Sequence, residues 1–252
     1  MARFKVGVLL KPQHCRMDQL RQGCRDVEDL GVDSIWTWDH FYPLYGDPAG
    51  ANHECWTTLA ALAADSRRAL LGSLVTCNSY RNPDLLAAMA GTVDQISGGR
   101  VVLGLGAGWF ERDYTEFGYG FGSAGERLRA LEDGVTRVRS RLAALVPSAS
   151  RVPLLIGGGG EKVTLRIVAQ HADMWNDFGS AERFAHKNAV LDRWCAEQGR
   201  DPGEIERTTM IETAEVDAVD AYVKAGATHI ILGLDAPFDL KALDRLLANA
   251  KD

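Results

Sequence analysis

Apolar and polar positions follow two rhythms along the chain. Short continuous apolar runs, suited to strands buried on both faces, begin near residues 4, 34, 69, 101, 152, 173, 208 and 229. Phe4 to Leu10, Val101 to Gly106 and His229 to Leu232 are the clearest. Between the runs, apolar residues recur three and four apart, the spacing of a helix with one buried face. Leu20, Cys24, Val27 and Leu30 form one such set, and Leu128, Leu131, Val135, Val138 and Leu142 another. Gly31, Gly98-Gly99 and Gly226 stand where helices should stop. The pattern predicts eight strands and eight helices, one pair about every 32 residues, the size of a βα unit. Eight such units close a (β/α)8 TIM barrel. An open, doubly wound sheet is the alternative. It would usually carry a phosphate fingerprint after its first strand, and Lys11-Pro12-Gln13-His14 is not one.

Composition narrows the choice. No Pro/Ser-rich linker or charge run divides the chain, so residues 1–252 read as one α/β domain. Hydrophobic residues make up 46% and charged residues 25%, which excludes a disordered or coiled-coil chain. The net charge is −6, from 28 basic and 34 acidic residues, and argues against nucleic acid or an anionic membrane as the main partner. No apolar stretch approaches the ~18 residues of a membrane span, and the first residues read as a strand rather than a signal peptide. Cys15, Cys24, Cys55, Cys77 and Cys195 are odd in number with no C-x-x-C pair. Reduced thiols and a cytoplasmic setting are the expectation.

In a barrel of this type the chemistry sits in the loops after each strand. His40 follows the second strand, where it can exchange a proton near neutral pH, and Asp39 beside it can serve the site or cap a turn. The third strand leads into Thr76 to Pro83, rich in small polar residues. The fourth ends in Gly104, Gly106 and Gly108, a G-x-G-x-G spacing in which Trp109 replaces the last glycine of a dinucleotide fingerprint. These glycines allow either a tight turn or close approach of backbone to a flat ligand. The fifth ends in Gly157 to Gly160 before a helix expected from Glu161, an arrangement suited to a phosphate. It is not a Walker A loop. There is no complete H-E-x-x-H and no G-x-S-x-G, so neither a metal site nor a serine nucleophile is expected. Lys11, just past the first strand, reads as a solvated lysine.

Taken in order, W-x-W-D-H-F at 36–41, L-V-T-C-x-S-Y-R-N-P at 74–83, I-S-G-G-R-V-x-L-G-L-G-A-G-W at 96–109, G-G-G-G-E-K-x-T-L-R at 157–166 and A-D-M-W-N at 172–176 resemble the bacterial luciferase-like superfamily, in its coenzyme F420-dependent branch. The resemblance runs the length of the chain. It implies a barrel that binds F420, or FMN as the alternative, with the ring across the mouth and hydride transfer assisted by His40. The residues it assigns to the cofactor are Asp39, Ser73, Leu74, Val75, Thr76, Gly106, Ala107, Gly108, Gly157, Gly158, Gly159, Gly160 and Glu161. It also implies a non-proline cis peptide within Gly72 to Val75, expected at Ser73–Leu74.

Trp36, Tyr80, Trp109 and Phe110 are the candidate substrate walls, which suit an uncharged or weakly polar carbonyl, imine or activated alkene. Some sugar-phosphate-oxidising relatives place a glutamate where Trp109 stands, which argues against that activity here. Residues 143–151 and 212–216 are short against the pattern, so a homodimer is expected to shelter the mouth. A monooxygenase using FMN, a non-redox phosphate-binding barrel and a cofactor-free binding subunit are the other readings.

Overall fold

The structure, a computed structural model, describes residues 2–147 and 151–251. Its strands and helices alternate: β1 Lys5–Leu10, α1 Met17–Asp29, β2 Ser34–Thr37, α2 Cys55–Asp65, β3 Leu70–Ser73, β4 Thr76–Cys77, α3 Pro83–Ser97, β5 Val101–Gly106, α4 Glu111–Glu116, α5 Ala124–Ala143, β6 Leu154–Gly157, α6 Thr164–His171, β7 Met174–Phe178, α7 Ala181–Glu197, β8 Glu206–Ile211, α8 Val219–Lys224, β9 His229–Leu234 and α9 Lys241–Asn249. Every strand pairing is parallel. The order is β3-β2-β1-β9-β8-β7-β6-β5-β4, and β3 also pairs with β5, which closes the sheet into a (β/α)8 barrel.

β3 and β4 are two pieces of the expected third strand. The interruption is at Leu74–Val75, whose peptide bond is cis. The resemblance placed that bond at Ser73–Leu74, one residue too early. Three other expectations shift. The helix expected from Glu161 starts at Thr164. The one expected over 216–224 is a 3-10 turn, Thr213–Ala218, followed by α8. α4 was not foreseen, because six residues are too few to show a helical period. In the short connection 143–151, residues 148–150 lie outside the described residues.

Local chemistry sets the helix starts. Asn82 accepts from the Asp84 N–H ahead of Pro83, and Ser123 and Glu126 form a reciprocal capping box on α5. The main core lies between the strands and the ring of helices. A second cluster, Leu9, Trp36, Trp38, Val102, Leu155, Met174 and Ile231, fills the bore of the barrel.

The amino-terminal end of the bore is closed by a polar chain. Trp36 Nε1 donates to Ser34 Oγ at 2.6 Å, Ser34 Oγ meets His229 Nε2 at 2.8 Å, and His229 Nδ1 meets Glu206 Oε1 at 2.7 Å. Lys5 completes it on Glu206 Oε2 at 2.8 Å. Gly7 leaves the room: a Cβ there would lie 2.9 Å from His229 Nε2. Burial alone would raise the Glu206 pKa, but the bonds from His229 and Lys5 prevail and lower it from 4.5 to about 2. A lowered carboxyl pKa adds stability that is present above pH 4.5 and lost as pH falls through about 2. Glu206→Gln is therefore expected to lower the urea midpoint at pH 7, with the gap to wild type closing between pH 4.5 and 2. A gap that does not change with pH would contradict this.

Candidate active site

Alternation along β2 carries Trp36 and Trp38 into the bore, and the same alternation brings His40 to the mouth at the carboxyl ends of the strands. The His40 side chain is about one-eighth exposed. Its Nδ1 meets Asp113 Oδ2 at 2.7 Å, and among the described residues its Nε2 has no hydrogen-bond partner. Three rings stand edge-on to the imidazole: Trp38 at 6.1 Å, Trp109 at 5.7 Å and Phe110 at 5.6 Å between centroids. The His40 carbonyl accepts from Asn52 Nδ2, which fixes the backbone.

Asp113 lies on α4 and is fully buried. Besides His40 it accepts from the Phe41 and Tyr42 backbone N–H groups, each at 3.2 Å, and from the Tyr80 hydroxyl at 3.0 Å. A carboxylate with four donors on it is held in one orientation, and it holds the ring in turn. Sequence reading missed Asp113. It lies 73 residues from His40, and the only hint was an acid in the short segment after the fourth-strand glycines.

An apolar step lies on the neighbouring strand, where the Leu74 N–H donates to the Thr37 carbonyl at 2.8 Å. Leu74 and Val75 are partly exposed and pack on the bore cluster. The glycines of neighbouring strands make room for it. A Cβ on Gly106 would lie 2.7 Å from Val75 Cγ2, one on Gly157 would lie 2.9 Å from Val75 Cγ1, and one on Gly104 would overlap the Ser73 carbonyl oxygen. These glycines thus admit the step itself. Gly108, with φ of +80°, lies against Tyr114 and Cys77, and Ala107 is half-buried beside it.

Gly157, Gly158 and Gly159 are half-buried at the rim, and Gly160 is exposed. Gly158, at φ +122°, donates to the Asn176 carbonyl and accepts from Trp175 Nε1 at 3.0 Å. Residues 161–163 separate the loop from α6, so the helix end is less direct than expected. The Asp177–Arg183 ion pair, at 3.1 Å, backs Gly159. Burial raises the Asp177 carboxyl pKa against the pull of Arg183.

Several other expected site residues are buried or already bonded within the chain. Asp39 is buried, with both oxygens on Arg81 at 2.6 and 2.9 Å and one on the Cys77 N–H, so it ties loops together rather than meeting a ligand. Ser73 and Thr76 are sealed, each hydroxyl committed: Thr76 to Ser73 at 2.7 Å and Ser73 to the Gly104 carbonyl at 3.0 Å. Trp36 is enclosed in the bore, and Tyr80 is buried on Asp113, so neither is a substrate wall. Glu161 is exposed but held by Lys187 and His186. Trp109 is 64% exposed and Phe110 half-buried, both beside His40. Lys11 is not solvated: its side chain is 3% exposed. The five cysteines are free and buried. Among the described residues no helix is long and apolar enough to cross a membrane, and no group of His, Cys, Asp or Glu converges to hold a metal.

The F420-dependent hydroxymycolic acid dehydrogenase of Mycobacterium tuberculosis is 27% identical over 242 residues, 88% of this chain and 64% of that protein. The F420-dependent glucose-6-phosphate dehydrogenase of Amycolatopsis mediterranei is 30% identical over 139 residues, 54% of this chain and 41% of that protein. The chain thus spans less than two thirds of the length of these relatives. A solved F420-dependent secondary alcohol dehydrogenase, in complex with an F420–acetone adduct, shares the fold with a TM-score of 0.89 over 99% of both chains at 16% identity. The family model for luciferase-like monooxygenases matches residues 1–251, and the chain belongs to that family.

Proposed function

We propose that the chain is a coenzyme F420-dependent oxidoreductase that moves a hydride between the deazaflavin ring and a small organic substrate, with His40 handling the proton. The observation that carries this reading is the His40–Asp113 pair, set at the mouth on the strand next to the partly exposed step of Leu74 and Val75. The F420-dependent enzymes among its relatives support it.

The residues present fit a flat ring with an anionic tail. Leu74 and Val75 offer an apolar surface to a ring face. The Gly157–Gly160 loop brings backbone to the rim without side chains, where a phosphate would be held. When bound, F420 supplies a two-electron hydride exchange at its ring carbon. The chain's own part is the proton. Asp113 fixes Nδ1, so Nε2 is the atom that gives or takes the proton on the substrate oxygen or nitrogen. Trp109 and Phe110 stand edge-on to the imidazole. We further propose a homodimer, because Trp109, Phe178 and Tyr45 leave large apolar area uncovered.

Titration of the purified chain with F420 is expected to quench the deazaflavin fluorescence with micromolar affinity, on a sample that runs as a dimer by light scattering. Micromolar FMN binding with none of F420 would overturn the cofactor, and a strict monomer would overturn the assembly.

A further inference from the structure

We propose that Lys11, Glu212 and Asp235 form the substrate-selecting rim of this mouth, taking a substrate that carries a hydroxyl or ammonium group and turning away carboxylates and phosphates. The proposal rests on the redox reading above and names its substrate class.

Position is the first support. Leu9 and Ile231 belong to the bore cluster. Alternation therefore puts Lys11, two residues past Leu9, and Gly233 and Asp235, two and four past Ile231, on the inner face at the carboxyl ends of β1 and β9. Met210 packs on the same cluster and brings Glu212 to the inner face past the end of β8. Backbone has been cleared for the group: a Cβ on Gly233 would lie 3.1 Å from Lys11 Cε and 3.2 Å from Glu212 Oε2.

The charges are arranged in depth. Lys11 Nζ donates to Glu212 at 2.9 and 3.1 Å and to Asp235 at 2.9 Å. The ammonium is sealed, whereas the Glu212 and Asp235 side chains are about half exposed. Burial alone would lower the Lys11 pKa, but bonds to Glu212, Tyr45 and Asp235 outweigh it and raise it. The lysine stays charged, with its protons spent inward. Two carboxylates against one ammonium leave a formal charge of −1, and the open oxygens can only accept. An apolar side chain at position 11 would close the bore without desolvating an ion, so packing gives no reason for this group.

The rim is continuous with His40. Lys11 Nζ lies 5.1 Å from the centre of the Tyr45 ring, Tyr45 stands edge-on to Trp38 at 6.0 Å, and Trp38 edge-on to His40 at 6.1 Å. A substrate lying over the exposed Tyr45 ring would have one end toward the imidazole and the other at the acceptors.

The test uses three matched aryl ketones: 4′-(aminomethyl)acetophenone, 4′-(hydroxymethyl)acetophenone and 4-acetylbenzoate. Binding is read by ligand-observed NMR on the full chain with and without F420, beside the F420 titration. The wild type is expected to bind the amine and the alcohol about tenfold more tightly than the benzoate. Glu212→Gln with Asp235→Asn turns the rim to +1 and is expected to reverse that order, with F420 affinity unchanged. If this double variant fails to fold, Lys11→Met, which makes the rim more acidic, is expected to widen the wild-type preference. Equal binding of all three probes, no binding of any, or an order the variants leave unmoved overturns the rim. A change confined to F420 affinity would make these residues cofactor contacts and also overturn it. Failure of F420 to bind while the probe order holds would count against the redox reading alone.

Discussion

Replacing His40 with alanine is expected to lower turnover by roughly 10²–10⁴-fold while F420 still binds. The ring is about one-eighth exposed, its Nδ1 is anchored on Asp113 at 2.7 Å, and its free nitrogen is the atom proposed to exchange the proton. Alanine removes that atom and leaves the step of Leu74 and Val75 intact, so kcat should fall far more than cofactor affinity. Asp113→Asn tests the anchor. An amide oxygen can still accept from Phe41 and Tyr42, but the carboxylate that fixes the imidazole is gone. Asp113 acts through His40, so this variant should alter the pH profile of kcat and cost less turnover than His40→Ala. Full activity in His40→Ala would remove the catalytic assignment, and loss of F420 binding in that variant would make His40 a cofactor contact instead.

The barrel was legible because its signal is local and repeated. Each strand is a short apolar run, each long helix has its own period, and each unit has the same length. What escaped was shorter than those periods. α4 has only six residues, and the break between β3 and β4 is a two-residue event inside an apolar run. The resemblance located that break to within one residue, something no hydrophobic pattern could do.

The site was legible in part, for the same reason. His40 stands at a strand end, where position alone suggests chemistry, but its partner Asp113 is a tertiary contact that no local spacing encodes. Residue type also misled. Asp39 and Tyr80 have the right chemistry for a site, yet Arg81 and Asp113 use them to brace it. Trp36 is two residues from Trp38 on the same inward face but lies deeper, sealed in the bore. Lys11 resembles any exposed lysine until the ends of β8 and β9 bring Glu212 and Asp235 beside it. The strand-end glycines suggest a tight turn or the close approach of a ligand, whereas Gly104, Gly106 and Gly157 make room for the chain's own Ser73 and Val75.

That last difference yields a sharp test at Gly104. A Cβ there would overlap the Ser73 carbonyl oxygen and lie 3.1 Å from Val75 Cγ1. The carbonyl is backbone, so no rotamer change relieves the overlap. The two strands cannot simply part either, because Ser73 Oγ bonds the Gly104 carbonyl at 3.0 Å and the β3–β5 pairing closes the barrel. Gly104→Ala is therefore expected to cost at least the ~1–3 kcal/mol of overpacking. It should also displace the Leu74–Val75 step, and F420 affinity should weaken with it. Gly106→Ala is the informative contrast. Its nearest neighbour is a side-chain methyl, Val75 Cγ2 at 2.7 Å, so Val75→Ala in the same chain should recover most of the lost stability. No side-chain substitution at 75 should rescue Gly104→Ala, because the oxygen it meets belongs to the main chain. Urea midpoints for the four variants, read beside F420 titrations, decide the matter. A Gly104→Ala protein as stable as wild type, or one rescued by Val75→Ala, would show that the step does not press on β5 in this way.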